Sequence, residues 1–199
     1  MHISEGVLNL GVLGTGYILT SIGVGIGLKS LKEEKIVKTA IFCSAFFVAS
    51  LIRVPLGPSS VHLVLNGLVG VLLGWQVFCA LFIALLLQAI LFGFGGLTTL
   101  GINTLNMALP GLVCYWFFHR GLRGGKVVSL ILGFLAGFLG VFLASICVAA
   151  SLFCTGEQFL NTAKLIFIAH IPVMFLEGII TALIVQFIKK VKPEILTAT

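Results

Sequence analysis

An all-α membrane protein, a bundle of about seven transmembrane helices with its N-terminus outside and its C-terminus cytoplasmic, is the fold class this sequence predicts. Three observations predict it. Of 199 residues, 59% are hydrophobic and 9% charged, with a mean hydropathy of +1.23. A soluble domain of this size has no use for so much apolar surface. Long apolar runs recur along the chain, and helices are preferred to strands because a helix satisfies its own backbone groups inside lipid. The basic residues, finally, fall in short clusters between those runs, which reports topology and argues against nucleic acid as the partner of a chain with net charge +6.

The runs cover residues 6–28, 36–56, 61–74, 76–93, 102–118, 127–153 and 164–188. The first resembles a secretory signal but lacks a basic segment before it, and its lysines follow it. It is therefore read as a retained anchor with its tail outside. The third is short against the roughly 20 residues a span requires, so a short, tilted or partly re-entrant helix is expected there. Lys29, Lys32, Lys35 and Lys38 follow the first run, Arg120, Arg123 and Lys126 the fifth, and Lys189, Lys190 and Lys192 the last. Seven alternating crossings place all of these on one side, the cytoplasm, and leave Arg53 and Lys164 near the other. The whole of 1–199 reads as one transmembrane domain, with no room for a soluble ATPase or an extramembrane enzyme.

Chemistry concentrates at the predicted outer end. Met1-His2 is a compact nitrogen chelator: the terminal amine, the His2 amide nitrogen and the His2 imidazole can close on one ion in small fused rings. Acylating the amine removes a donor, and a large penultimate residue protects the initiator methionine from aminopeptidase. His62, at the start of the third run, falls at the same level and can complete a four-nitrogen site. Nitrogen donors suit nickel, cobalt, copper and zinc, and a planar arrangement with a deprotonated amide favours Ni(II) or Cu(II). Binding then releases protons. Taken singly, His2 is an ordinary terminal residue and His62 an ordinary interfacial histidine. Their shared face is what makes a site. His119 lies in the basic loop 119–123 and is expected only to contribute to topology.

Other polar residues surround this pair. His170 and Glu177, two turns apart on one face of the last run, suit either a supporting role on the metal path or structural pairing with Asn103, Asn106 or Gln88. Structure is the preferred reading for Glu177. The glycine-rich link 95–106 carries Asn103 and Asn106 on one helix face, where they can orient metal-bound imidazoles or simply cap a loop. Asn66, one turn after His62, can do the same, and Ser59 and Ser60 stand in the link before it. The cysteines, at 43, 79, 114, 147 and 154, form no C-x-x-C pair and read as small apolar residues.

Met1-His2-Ile3-Ser4-Glu5-Gly6, Ser59-Ser60-Val61-His62-Leu63 with Asn66-Gly67-Leu68, the 95–106 link running on into Met107-Ala108-Leu109-Pro110-Gly111, and His170-Ile171-Pro172 with Glu177-Gly178 together resemble the CbiM/NikM family. The resemblance spans most of the chain in order. It implies the substrate-capturing S component of an energy-coupling factor (ECF) importer for nickel or cobalt in a prokaryotic plasma membrane. It further implies an ion held by the Met1 amine, the His2 amide and imidazole, and the His62 imidazole. The ion is cargo, and no resident cofactor is expected. The implied partners are a transmembrane coupling (T) subunit, a pair of cytoplasmic ATPases and often a small accessory membrane subunit. The chain has no G-x-x-x-x-G-K-[ST] loop, so it cannot power uptake itself. Gly23 and Gly27 in the first run, and Gly133 and Gly137 in G-x-x-x-G spacing, are candidates for packing against the coupling subunit, although such glycines commonly serve packing within a chain. A loop at 57–61 is expected to close over the ion. No paired carboxylates or nucleophile–base arrangement marks a hydrolase. The alternatives are a stand-alone metal transporter or channel, for which no internal repeat is seen, and an intramembrane metal-dependent enzyme resting on His170 and Glu177.

Overall fold

The computed structural model describes residues 2–51, 53–56 and 59–196, with side chains for 2–51 and 62–196. Among them the chain forms α1 (Leu10–Ser30), α2 (Glu33–Ala49), β1 (Arg53–Leu56), β2 (Ser59–His62), α3 (Asn66–Leu73), α4 (Gln76–Phe92), α5 (Leu100–Phe118), α6 (Lys126–Phe153) and α7 (Leu160–Val191). Single 3₁₀ turns lie at Arg120–Arg123, Glu157–Phe159 and Pro193–Leu196. Among the described residues three helical stretches are long and apolar enough to cross a membrane, namely α1, α6 and the Glu157–Val191 stretch containing α7, and α4 is a shorter apolar helix.

The helix surfaces are sorted for lipid. α1 starts where the Asn9 side chain accepts from the Val12 N–H at 2.9 Å. It buries Gly16, Thr20, Gly23 and Gly27 and exposes Ile18, Ile22 and Leu28. Small residues inward and large apolar ones outward reverse the pattern of a soluble helix, and the arrangement suits a bilayer, where close backbone approach drives helix association.

Two predicted runs break up. The second does not continue to residue 56: α2 ends at Ala49, and 53–56 pairs antiparallel with 59–62, Arg53 opposite His62 and Leu56 opposite Ser59. Pro55 is the local reason, because it donates no backbone hydrogen bond and disfavours helical geometry at Val54. The third run gives its first residues to β2 and keeps only α3, about 12 Å long at 1.5 Å per residue. All eight α3 residues are buried. This short helix is a central post, packed by α5 and α6, rather than a span.

The ends of the bundle differ in chemistry. Lys38 Nζ donates to the Ile195 carbonyl at 2.7 Å and Arg123 Nε to that of Leu196 at 3.0 Å, while Lys189 Nζ reaches the Gly124 carbonyl. The start of α2, the end of α7 and the α5–α6 link are thus drawn together into one basic end, and the hairpin and the chain start lie at the other. His119 does more than mark topology. It is buried at the basic end, donating Nδ1–H to the Val71 carbonyl of α3 at 2.8 Å and accepting from Arg123 through Nε2 at 3.0 Å. The free end of a helix has unpaired carbonyls, and His119 satisfies one.

The four glycines considered for partner packing are spent inside the chain. A Cβ on Gly23 would meet the Phe78 ring at 2.4 Å, and one on Gly27 the Trp75 carbonyl and Cys79 sulfur at 2.8 Å. Gly133 lies against Ala182, and a Cβ on Gly137 would stand 2.3 Å from the Glu177 carbonyl oxygen. The G-x-x-x-G spacing therefore joins α6 to α7.

Candidate metal centre

The chain start enters the bundle beside the α4–α5 link. Asn103, from the first turn of α5, clamps Ile3 at both backbone groups: Oδ1 accepts the Ile3 N–H at 2.9 Å and Nδ2 donates to its carbonyl at 3.0 Å. Glu5 adds a second tie. Its N–H donates to the Gly95 carbonyl at 3.1 Å, and its carboxylate accepts from the Thr98 N–H and hydroxyl at 2.8 and 3.0 Å. The Thr98 backbone bond, followed by its hydroxyl, holds the Glu5 carboxyl below the usual carboxylate range. Gly95 has φ +77, and a side chain there would crowd Asn103 at 2.9 Å while only touching His2 at 3.6 Å.

This anchoring buries His2, which is 3% exposed, beside His62, also 3% exposed. Their ring centroids are 4.7 Å apart at 38°. Metal–nitrogen bonds of about 2 Å let two imidazoles converge on one ion from such a spacing. Met1, the proposed amine donor, lies outside the described residues, and so do Gly57 and Pro58 of the expected closing loop. Ser59 and Ser60 are described only as backbone of β2.

The ring tautomers follow from partners that can act in one sense only. Gln88 Nε2 donates to the Phe47 carbonyl at 3.4 Å and to Ser50 Oγ, so its Oε1 faces His2. His2 Nε2 therefore carries the proton it donates to Gln88 Oε1 at 2.8 Å, and Nδ1 is the basic nitrogen. Nδ1 is also the nitrogen that closes a small chelate ring with the His2 amide. His62 donates Nδ1–H to the Leu63 carbonyl at 2.7 Å, which makes Nε2 its basic nitrogen. Among the described residues, His62 Nε2 is buried with no hydrogen-bond partner. A second partner that fixes tautomer and orientation is what ligating imidazoles generally have. Gln88 was not expected in this role. Its signal was there: apart from Gln76 at the first position, it is the one amide in the apolar run 76–93.

Glu177 holds the segment after His62 from below. Its carboxylate accepts the Val64 N–H and the Leu65 N–H, the latter at 3.0 Å. Leu65 has φ +50, a left-handed backbone that costs a residue with a side chain about 1–2 kcal/mol. Fully buried Glu177 fixes that bend and caps the start of α3. The expected pairing of Glu177 or His170 with Asn103, Asn106 or Gln88 does not occur. Unpaired N–H groups at a helix start outcompete side-chain amides for the carboxylate.

The asparagines are likewise structural, not supports for imidazoles. Asn66 Nδ2 donates to the Met107 and Gly140 carbonyls, both at 3.0 Å, tying α3 to α5 and α6. Asn106 pairs with Ser151 across α5 and α6 at 3.1 Å. Asn103 acts on the chain start rather than on a ring. His170 is fully buried, donates Nδ1–H to the Ile166 carbonyl at 2.7 Å, and its Nε2 has no partner among the described residues. No group of three or more His, Cys, Asp or Glu side chains is placed to hold a metal among the described residues. Any ion at the His2–His62 pair needs further donors from the backbone, the chain start or water.

Residues 2–195 match the family model described as the cobalt uptake substrate-specific transmembrane region, CbiM. The chain belongs to the CbiM family. A relative in Haemophilus influenzae, provisionally named a metal transport protein, is 41% identical over 100% of this chain and 98% of its own length. A protein of Archaeoglobus fulgidus, provisionally named a fused nickel transport protein NikMN, is 29% identical over 98% of this chain and 68% of its own. The crystal structure of a transition metal transporter superposes with TM-score 0.83 at 25% identity, covering 96% of this chain and 93% of the other. With its helices long and apolar enough to cross a bilayer, this CbiM chain is a membrane protein of a cobalt and nickel transport family.

Proposed function

We propose that this chain is the substrate-capture component of an ATP-driven ECF-type importer for divalent nickel or cobalt. One observation carries the reading: two buried imidazoles face each other at 4.7 Å, each with one ring proton committed to a fixed acceptor, Gln88 for His2 and the Leu63 carbonyl for His62. The other nitrogen of each ring is then its basic one. The chain start, held by Asn103 through Ile3, offers the His2 amide and the Met1 amine as the remaining donors. Ni(II) or Co(II) exchanges its water for these nitrogens, and the His2 amide gives up its proton on binding.

Orientation follows from the two ends. The basic end faces the cytoplasm of a prokaryotic cell, where Lys and Arg accumulate, and the histidine pair opens outward. The chain works as a single transmembrane unit. Its partners are a membrane coupling subunit, a pair of cytoplasmic ATPases and a small accessory membrane subunit, and nucleotide turnover in them reorients the loaded unit so the ion is released inward. Reprotonation of the His2 amide assists that release. The glycines at 23, 27, 133 and 137 are committed to internal contacts, so a coupling subunit docks on other surfaces.

The test is equilibrium nickel and cobalt binding to purified protein with a native start, compared with protein carrying one added residue before Met1 and with His62→Ala. Tight binding that is lost in both variants is expected. Affinity equal in all three discards this site.

A further inference from the structure

α6 and α7 reach the basic end side by side, and the groove between them changes character along its length. At the end itself it opens into a hollow of about 520 Å³ lined by Lys126, Gln186, Phe187, Lys189 and Lys190, with no carboxylate among the described residues that line it. Further in, the same two helices line a second hollow of about 360 Å³ in which every lining residue is apolar. Leu130, Ile131 and Phe134 form one wall of it, Ile179 and Leu183 the other. The helices run antiparallel, with Gly133 against Ala182 and Gly137 against Glu177. Leu130 therefore follows Lys126, and Leu183 follows Phe187, by one turn into the bilayer, and the two hollows lie end to end.

The floor of the basic part is fixed. Ser129, fully buried, accepts from Gln186 Nε2 at 2.8 Å and from Lys189 Nζ at 2.9 Å, and Lys189 also reaches the Gly124 carbonyl. Lys126 and Lys190 stand exposed at the rim. Three ammonium groups around one hollow repel each other, and an anion among them relieves that repulsion. Lysines alone would suit any small anion. The apolar groove that continues from them points to a ligand with a charged head and an apolar chain. Its depth fits as well: from Lys126 to Leu135 α6 rises about 14 Å, close to the roughly 15 Å of hydrocarbon in one leaflet.

We propose that the α6–α7 groove binds one anionic phospholipid, its phosphate among Lys126, Lys189 and Lys190 and an acyl chain along Leu130, Phe134 and Leu183. Basic pockets between membrane helices hold anionic headgroups in this way. A lipid seated there touches both helices, so its binding stabilises their packing. The inference needs neither the metal site nor the direction of transport, and its failure leaves the proposed function as it stands.

The test uses the full chain in detergent, titrated with phosphatidylglycerol, phosphatidylcholine or water-soluble glycerol phosphate. Native mass spectrometry counts what is bound, and thermal unfolding is followed in parallel. Wild type is compared with Lys126→Gln/Lys190→Gln and with Lys29→Gln/Lys32→Gln, which removes equal charge outside the groove. Lys189 is kept because it ties α7 to Ser129. Expected is phosphatidylglycerol retained by wild type in preference to phosphatidylcholine, with a raised melting temperature. The groove pair should lose about tenfold or more in that affinity and the control pair less than about threefold. Equal losses in the two pairs reduce the effect to general attraction and overturn the inference. No preference for phosphatidylglycerol also overturns it and leaves the groove to a protein partner. Glycerol phosphate that binds as tightly as the lipid overturns it too, since the apolar groove then contributes nothing. Should the double variant not fold, Leu183→Trp, which fills the groove at an exposed position, decides alone: weaker phosphatidylglycerol binding supports the assignment, and unchanged binding overturns it.

Discussion

Replacing Gln88 by leucine separates the metal reading of the histidine pair from a packing one. Gln88 Oε1 is the acceptor that keeps the His2 proton on Nε2, at 2.8 Å. Without it, a buried N–H loses its acceptor at a cost of about 1–3 kcal/mol. The imidazole can escape that cost by moving the proton to Nδ1, but Nδ1 is the nitrogen proposed to chelate. Either way the metal pays: loss of a partner that orients a ligating imidazole lowers affinity by about 10–100-fold, or about 1.4–2.7 kcal/mol. Gln88 also donates to Ser50 Oγ and the Phe47 carbonyl, so part of any effect comes from weakened α2–α4 packing. Ser50→Ala isolates that part, since it removes the packing bond and leaves Oε1 facing His2. Competition titration of nickel against a chelator of known affinity, with thermal unfolding in detergent, reads both terms. Ser50→Ala should lose stability with nickel affinity held within about threefold, and Gln88→Leu should lose affinity beyond its stability change. Equal affinity losses in the two variants, or nickel binding within threefold in Gln88→Leu, would refute the assignment of Gln88 as the group that sets the His2 tautomer.

Two further outcomes are expected. Gly137→Leu forces α6 away from α7, since even its Cβ would stand 2.3 Å from the Glu177 carbonyl oxygen and 2.6 Å from Thr181 Oγ1. Overpacking of this kind costs about 1–3 kcal/mol or more; a lowered melting temperature with weaker nickel binding is expected, because Glu177 carries the His62 segment, whereas Gly25→Ala, with nothing within 4 Å, should match wild type. Acid should also loosen the basic end. Burial, the largest cause, holds the His119 pKa below its ordinary value, so the folded state binds fewer protons there than the unfolded one. The stability His119 confers is complete above its unfolded pKa of about 6.5 and is lost as pH falls through the lower folded value. The melting-temperature advantage of wild type over His119→Gln at about pH 7.5 should shrink at about pH 5.5, and parallel slopes would count against the buried neutral imidazole.

How much of the site was legible in sequence depended on the kind of residue. His2 and His62 were readable because imidazoles are scarce in an apolar chain and the alternation of runs put both at one end. Gln88 was visible as an isolated amide, but its partner is 86 residues away and no local rule pairs them. The asparagines misled for the same reason: spacing put Asn103 and Asn106 on one helix face, and the fold sent one to Ile3 and the other to Ser151. His119 looked like part of a basic loop until α3 ended beneath it with an unpaired carbonyl.

By itself the sequence determined the membrane class, most helix positions, the gathering of most lysines and arginines at one end and the placing of His2 and His62 at the other, because these follow from hydropathy, charge and chemistry carried within short stretches. Only the tertiary structure decided that residues 53–62 form a hairpin, that α3 is an eight-residue buried post, which glycines face their own chain, and which ring nitrogen each histidine leaves basic. Those outcomes rest on partners distant in sequence. A buried backbone group or imidazole proton must find an acceptor somewhere, and which one it finds is settled when the helices pack.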